Sequence, residues 1–389
     1  LIRVSQPTIP YGKQFIDDDD IAAVVATLKS GWITQGPAID QFEMTMAAFC
    51  GAKYAVVVCN ATAALHIGAL ALGLKPGDRL WTTPNTFVAS ANCGLYCGAT
   101  VDFVDIDSCT YNMSVSALKA KLETASQDGT LPNILVPVDF SGQSCEMAEI
   151  RALAASHGIR VMEDASHAVG GEYRGQKIGG GQHADLTIFS FHPVKIMTTG
   201  EGGMLLTNDD DLYQQLIRLR SHGITRDPRF TQNPPDGPWS YEQVDLGFNY
   251  RITDLQAALG TSQLNKLPAF LRRRRELAAR YDENLATLPL TRPWQHPDTL
   301  SSWHLYIIQI DPAKRLAVYE ELKAAGIYAQ IHYIPVHTQP WYRGLGFKPG
   351  DFPASEAYYA GALSLPMYYG LSDADQDRVI ATLKTALEA

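Results

Sequence analysis

A single lysine, Lys195, stands in the stretch "SFHPVKIMTTGEGG" (Ser190–Gly203), with no acidic neighbour before Glu201. Small, hydroxylated and flexible residues surround it, and the glycines allow close backbone approach. A lysine in a loop is ordinarily a solvated charge. A lysine that folding buries has a depressed pKa, which makes it an imine former and a proton shuttle. A second stretch, "VMEDASHAVG", closes an apolar run with Glu163 and Asp164. A carboxylate at the end of a buried strand is costly unless it meets a cation or strong donors. The protonated ring nitrogen of a cofactor is one such partner, and capping of the next helix is the ordinary alternative. His167, three residues on, reads equally as a packed or capping residue. A third stretch, "CNATAALHIG", turns from an apolar run at Cys59 and Asn60 into a helical pattern. Backbone N–H groups of Ala61 and Thr62 at that helix start, with the Thr62 hydroxyl, would cradle a phosphate. A simple N-cap accounts for the same residues.

Together the three stretches describe one chemistry. A phosphate cradle, a carboxylate for a pyridinium nitrogen and an imine-forming lysine are what pyridoxal 5'-phosphate requires. They occur in the order phosphate turn, Asp164, Lys195.

These residues need a scaffold that brings distant turns together. Seven β-rich runs are expected as strands: Tyr54–Asn60, Arg79–Pro84, Thr100–Ile106, Asn133–Phe140, Ile159–Ala165, Asp185–Phe191 and Gly202–Asn208. They lack strict alternation, as strands covered on both faces do. Helical patterns such as "ATAALHIGALALGL", "SANCGLYCGA" and "EMAEIRALAASHG" separate many of them. This alternation predicts an α/β fold with a mainly parallel sheet and ligands at the carboxyl ends of its strands. After Gly223 the chain becomes rich in Pro, Gly and aromatic residues up to Gly247. A loop of this length reads as functional or as an interface arm. A helical region follows from near Thr253. The tail, with "SSWHLYIIQID", "RLAVYEELKAAGI", "YAQIHYIPV" and "DADQDRVIATLKTALEA", predicts a smaller α+β domain. The division falls at 1–252 and 253–389.

Composition excludes several classes. The 389 residues carry a net charge of -9, which argues against a general nucleic-acid binder. No run reaches the length of a membrane span, and the opening "LIRVSQPTIPYGKQF" lacks the pattern of a secretory leader. The six cysteines form no CxxC pair, and Cys93 and Cys97, four apart, have no His pair nearby. Reduced thiols in a cytoplasmic protein are expected, with no metal site. "DDDD" at Asp17–Asp20 and "NDDD" at Asn208–Asp211 read as helix starts. "RRRR" at Arg272–Arg275 reads as a solvated helix face.

The chain resembles fold-type I, aspartate-aminotransferase-like enzymes. More narrowly it resembles the DegT/DnrJ/EryC1/StrS family of nucleotide-sugar aminotransferases. The motifs "SGWITQGPAIDQFE", "TPNTFVASAN", "EDASHAVGGEYRGQKIGG", "FSFHPVKIMTTGEGGML", "LGFNYRITDLQAALGTSQL" and "GIYAQIHYIPVH" carry the resemblance over nearly the whole chain. It implies a mainly parallel seven-stranded sheet with a smaller C-terminal domain, and pyridoxal 5'-phosphate as cofactor. It also implies roles. Lys195 forms the imine with the cofactor, and Asp164 pairs with the ring nitrogen. Phe87 stacks on the ring, while Ser190, Ala61 and Thr62 hold the phosphate. Asn249, in "GFNYR", reaches cofactor phosphate or substrate in the partner subunit, which implies a homodimer with shared sites. His167 departs from the family, where Gln is commoner; a His there packs on the cofactor or donates to its ring hydroxyl.

That departure, with "SFHPVK" and the "SHG" of Ser221–Gly223, narrows the resemblance to the C4-aminotransferases of pseudaminic acid biosynthesis. The implied acceptor is UDP-2-acetamido-2,6-dideoxy-β-L-arabino-hexos-4-ulose and the implied donor is L-glutamate. The implied substrate contacts are Tyr11, Asn60, Asn249, Gly31, Trp32, Ile33 and Thr34, with His332, Tyr333, Ile334 and Pro335. Each aromatic among them also has a plausible packing role. Competing readings are another acceptor, such as GDP-4-keto-6-deoxymannose, and a regulatory domain that only binds the cofactor. A dehydratase on the same fold is the third; such relatives carry His where Lys195 stands.

Overall fold

The computed structural model describes residues 7–388. The first six residues of the stretch read for a leader, and Ala389 of the C-terminal division, lie outside the described residues.

All seven expected strands form, trimmed at their ends: β1 Tyr54–Val58, β2 Arg79–Thr82, β3 Thr100–Phe103, β4 Ile134–Val136, β5 Arg160–Asp164, β6 Leu186–Ser190 and β7 Gly203–Thr207. They build one sheet of order β1-β7-β6-β5-β4-β2-β3. β4 stops before Pro137, which has no N–H to give to a ladder. Neighbours from β6 through β3 run parallel. β7 runs antiparallel to both β1 and β6. The link from Ser190 to Gly203 contains no helix, so it returns the chain directly instead of crossing over.

Both faces of the sheet are covered, as the unbroken apolar runs require. Val56, Val58, Met162, Ile188 and Leu205 face one apolar cluster, with Leu65 and Ile67 of the helix Ala61–Ala71. Val57, Phe189, Met204 and Leu206 face the other, with Phe42, Met46 and Leu267. The acid-rich starts behave as read. Asp17 caps the helix Asp18–Lys29 in a reciprocal capping box with Asp20. Asp209 accepts from the N–H groups of Asp211 and Leu212 at 2.8 and 3.0 Å.

A separate core gathers the C-terminal residues. The strand Tyr306–Gln309 pairs antiparallel with Ala362–Leu365, covered by the helices Arg315–Ala324 and Asp373–Glu388. Ile9 joins this core by a bridge to Ile327. "YAQIHYIPV" contributes one bridge, Gln330 to Ser364, and otherwise no strand. The 31-residue helix Asp254–Asn284 serves both cores: Ala257 to Leu271 pack against the sheet, Leu277 to Tyr281 against the C-terminal core.

The arginine run in that helix is a correction. Arg274 is 2% exposed, not part of a solvated face. At helical spacing it shares the inward face with Phe270, Leu271 and Leu277. Its Nη1 donates to the carbonyls of Trp303, His304 and Met367 at 3.0, 3.2 and 3.0 Å. Burial without a carboxylate lowers its pKa to about 10.

Candidate active site

A cavity of about 460 Å³ opens where the strands end, within the size range of small-molecule sites. Asp164, the last residue of β5, and Ser190, the last of β6, both reach it. The two acids of "VMEDASHAVG" separate because successive strand residues point to opposite faces. Glu163 turns away and accepts from the Thr187 hydroxyl at 2.7 Å. Asp164 faces the cavity, where Oδ2 accepts from Ser90 Oγ at 2.6 Å and Oδ1 from the Ser166 N–H at 3.1 Å.

The helix Ala61–Ala71 begins at the cavity wall. Asn60 is its N-cap, and its Oδ1 accepts from the Ala63 N–H at 2.8 Å. The cap therefore takes the third N–H of the helix. Those of Ala61 and Thr62 have no intrahelical acceptor and are available to an anion. Capping and cradling thus coexist. Ser190 lies beside this turn because Gly203 pairs with both Ser190 and Val58.

Lys195 lines the same cavity. Burial pushes its amine down to about 8, and the nearby Asp164 carboxylate opposes that shift. Its neutral fraction near neutral pH is thereby far larger than that of a solvated lysine, which suits a nucleophile and base.

Aromatic rings form another part of the wall. Phe87 keeps 57% of its surface exposed although it lies in the cavity wall, which leaves ring surface free for a planar ligand. His167 Nδ1 accepts from the Ser141 N–H at 3.2 Å, so its proton sits on Nε2, 3.1 Å from the Tyr333 hydroxyl. Burial, then the charge of Lys195, holds His167 well below the usual histidine range. The same two causes push His332 down to about 3. The Tyr11 ring lies 5.2 Å from that of His332.

Of the residues singled out from sequence, Tyr11, Asn60, Ala61, Thr62, Phe87, Asp164, His167, Ser190, Lys195, His332 and Tyr333 line this one cavity. Gly31, Trp32, Ile33, Thr34, Asn249, Ile334 and Pro335 do not. Trp32 is 59% exposed, and Asn249 is also exposed. Asp254 ties these two outlying segments together. Its carboxylate accepts from the N–H groups of Gly36, Ala38 and Ile39 at 2.9, 3.3 and 3.3 Å, and its own N–H donates to Thr34 O. It caps the helix Pro37–Cys50, whose N-cap, Gly36, has no side chain to do so.

Sequence reading missed Thr86, Ser90, Glu201 and His304, which also line the cavity. His304 is buried, its ring 4.4 Å from that of His167. A polar residue opening the apolar run "LYIIQI" was its only signal. Ser90 could have been noticed three residues beyond Phe87, at the start of a helix.

The residues present fit pyridoxal 5'-phosphate: free N–H donors for a dianion, a carboxylate at a strand end, an available ring face and a lysine of depressed pKa. Fold and cavity together define a pyridoxal-phosphate-dependent transferase of the aspartate-aminotransferase-like type. Residues 14–384 match the DegT/DnrJ/EryC1/StrS aminotransferase family, and the chain belongs to that family. It is 41% identical over 383 residues to the spore coat polysaccharide biosynthesis protein SpsC of Bacillus subtilis, covering 97% of this chain and 96% of that one. Among solved structures it is similar to Helicobacter pylori PseC, an aminotransferase of pseudoaminic acid biosynthesis (31% identity, 98% and 100% of the two chains, TM-score 0.90). A Streptococcus pneumoniae protein solved in its pyridoxal phosphate form is 29% identical over 98% of this chain and 99% of that one, with a TM-score of 0.88. Among the described residues, no helix is long and apolar enough to cross a membrane.

Proposed function

We propose that this aminotransferase moves the amino group of L-glutamate to C4 of a UDP-linked 4-keto-6-deoxy-N-acetylhexosamine, UDP-2-acetamido-2,6-dideoxy-β-L-arabino-hexos-4-ulose. The observation that carries the amino-transfer chemistry is the Lys195 amine, with a pKa near 8, in one cavity with Asp164. The likeness to PseC over the whole chain supports the sugar. The identity to the spore coat polysaccharide biosynthesis protein SpsC also supports a role in polysaccharide biosynthesis.

The cofactor, when bound, supplies an electron sink for charge developing at the reacting carbon. The chain does the rest. Ala61, Thr62 and Ser190 hold the phosphate. Asp164 keeps a proton on the ring nitrogen. Lys195 takes the Cα proton of glutamate in one half-reaction and delivers a proton to sugar C4 in the other. Tyr11, His332 and Tyr333 line the side where the sugar enters. Binding energy from the remote nucleotide orients the reacting carbon. The exposed Trp32 turn and Asn249 serve the cavity of a second copy, so the working unit is a homodimer. Six unpaired cysteines fit a reducing, cytoplasmic setting.

The test is an absorbance titration of cofactor-loaded protein beside Lys195→Ala. Glutamate should bleach the visible band, and the UDP-keto sugar should restore it. Restoration by GDP-4-keto-6-deoxymannose alone would replace the proposed acceptor. A band that glutamate leaves unchanged would overturn the donor.

A further inference from the structure

Thr86 and Ser90 flank Phe87 on the segment that leads from β2 into the helix Ala89–Tyr96, and both are buried. Ser90 Oγ lies 2.6 Å from Asp164 Oδ2 and 2.7 Å from Thr86 Oγ1. An ionised carboxylate only accepts, so the Ser90 hydroxyl donates to it. Its one proton is then used, and the Thr86 hydroxyl must donate to Ser90. The Phe87 carbonyl, 3.3 Å from Ser90 Oγ, is a poorer acceptor than a charged oxygen at 2.6 Å. The chain therefore has a direction: Thr86 to Ser90 to Asp164. Hydroxyls in series polarise one another.

The same chain has a second consequence. Phe87 presents its ring to the cavity from between the two hydroxyls, while Asp164 presents its carboxylate from the sheet. Thr86 and Ser90 are the polar link between these two elements. We propose that Thr86 and Ser90 are positioning residues, holding the Asp164 carboxylate and the Phe87 ring in one fixed relation for a planar cationic heteroaromatic ring. The inference rests on the reading of this cavity as the cofactor site, and deepens it.

Two Thr86 variants separate hydroxyl from packing. Thr86→Val keeps the shape and loses the hydroxyl; Thr86→Ser keeps the hydroxyl and loses the methyl. Ser90→Ala removes the central link. The measurements are the affinity of apoprotein for pyridoxal 5'-phosphate by equilibrium dialysis, the single-turnover rate with glutamate, and the apoprotein melting temperature. A lost hydrogen bond to a charged group predicts about ten-fold weaker cofactor binding or slower turnover for Ser90→Ala, and roughly three-fold for Thr86→Val. Thr86→Ser should restore most of the Thr86→Val loss. If Thr86→Val matches wild type while Thr86→Ser is impaired, the role is packing and the inference fails. It fails too if Ser90→Ala binds and reacts as wild type does. Should Ser90→Ala not fold, the Thr86 pair decides alone. Wild-type protein that binds no cofactor would instead overturn the functional reading itself, and this inference with it.

Discussion

Gly203 and Ala61 touch backbone to backbone. A Cβ on Gly203 would lie 2.6 Å from Ala61 N and 2.5 Å from the Asn60 carbonyl carbon and oxygen. The strand that pairs with Ser190 thus presses against the turn whose N–H groups face the cavity. Gly203→Ala must push that turn away. Overpacking of this kind costs about 1–3 kcal/mol, but the specific outcome is loss of cofactor phosphate binding. Equilibrium dialysis of the variant should show affinity for pyridoxal 5'-phosphate falling about ten-fold or more, a change worth about 1.4 kcal/mol. Unchanged affinity would remove the turn from the phosphate site.

Lys195 predicts a pH signature. Its folded pKa, about 8, lies below the ordinary 10.5. For a depressed lysine the stabilising contribution is complete above the unfolded pKa and is lost as pH falls through the folded one. Apoprotein Lys195→Met should therefore exceed wild type in stability at pH 7, by on the order of 3 kcal/mol. The gap should close as pH rises from about 8 to above 10.5. Urea unfolding at several pH values measures it. A gap independent of pH would mean the amine is solvated.

The proposed sharing of sites between two copies predicts complementation. Lys195→Ala and Asn249→Ala should each be inactive alone. If Asn249 serves the partner's cavity, refolding the two together yields hybrids with one intact site, and about a quarter of wild-type activity for random C2 pairing. No recovery on mixing would place Asn249 outside the partner's site.

Arg274 holds the turn that carries His304. Replacing it with Ala leaves three buried carbonyls without their donor, at a cost of about 3 kcal/mol or more. The urea midpoint should fall accordingly, and cofactor affinity with it, because the Trp303–His304 segment loses its anchor. A variant as stable as wild type would contradict this.

Much of the candidate site was legible because each part is local. Lys195, Asp164 and the Asn60–Thr62 turn each follow an apolar run at its carboxyl end, and strand ends in such a sheet converge on one crevice. The seven runs became seven strands because continuous β-branched sequence has no stable place except a sheet covered twice. The arginine run misled for a related reason. Four adjacent charges look like a solvated face, but a helix turns about 100° per residue, and one of the four must face inward.

By itself, then, the sequence determined the strands, their helical partners and the residue types that reach their ends, since hydrophobic periodicity and turn chemistry act between near neighbours. Tertiary structure alone decided the direction of the Thr86–Ser90–Asp164 chain, the place of His304 against His167, and the capping of the helix Pro37–Cys50 by Asp254. Each depends on groups dozens to hundreds of positions apart. Their meeting is set by how sheet and helices pack, a property that no local pattern encodes.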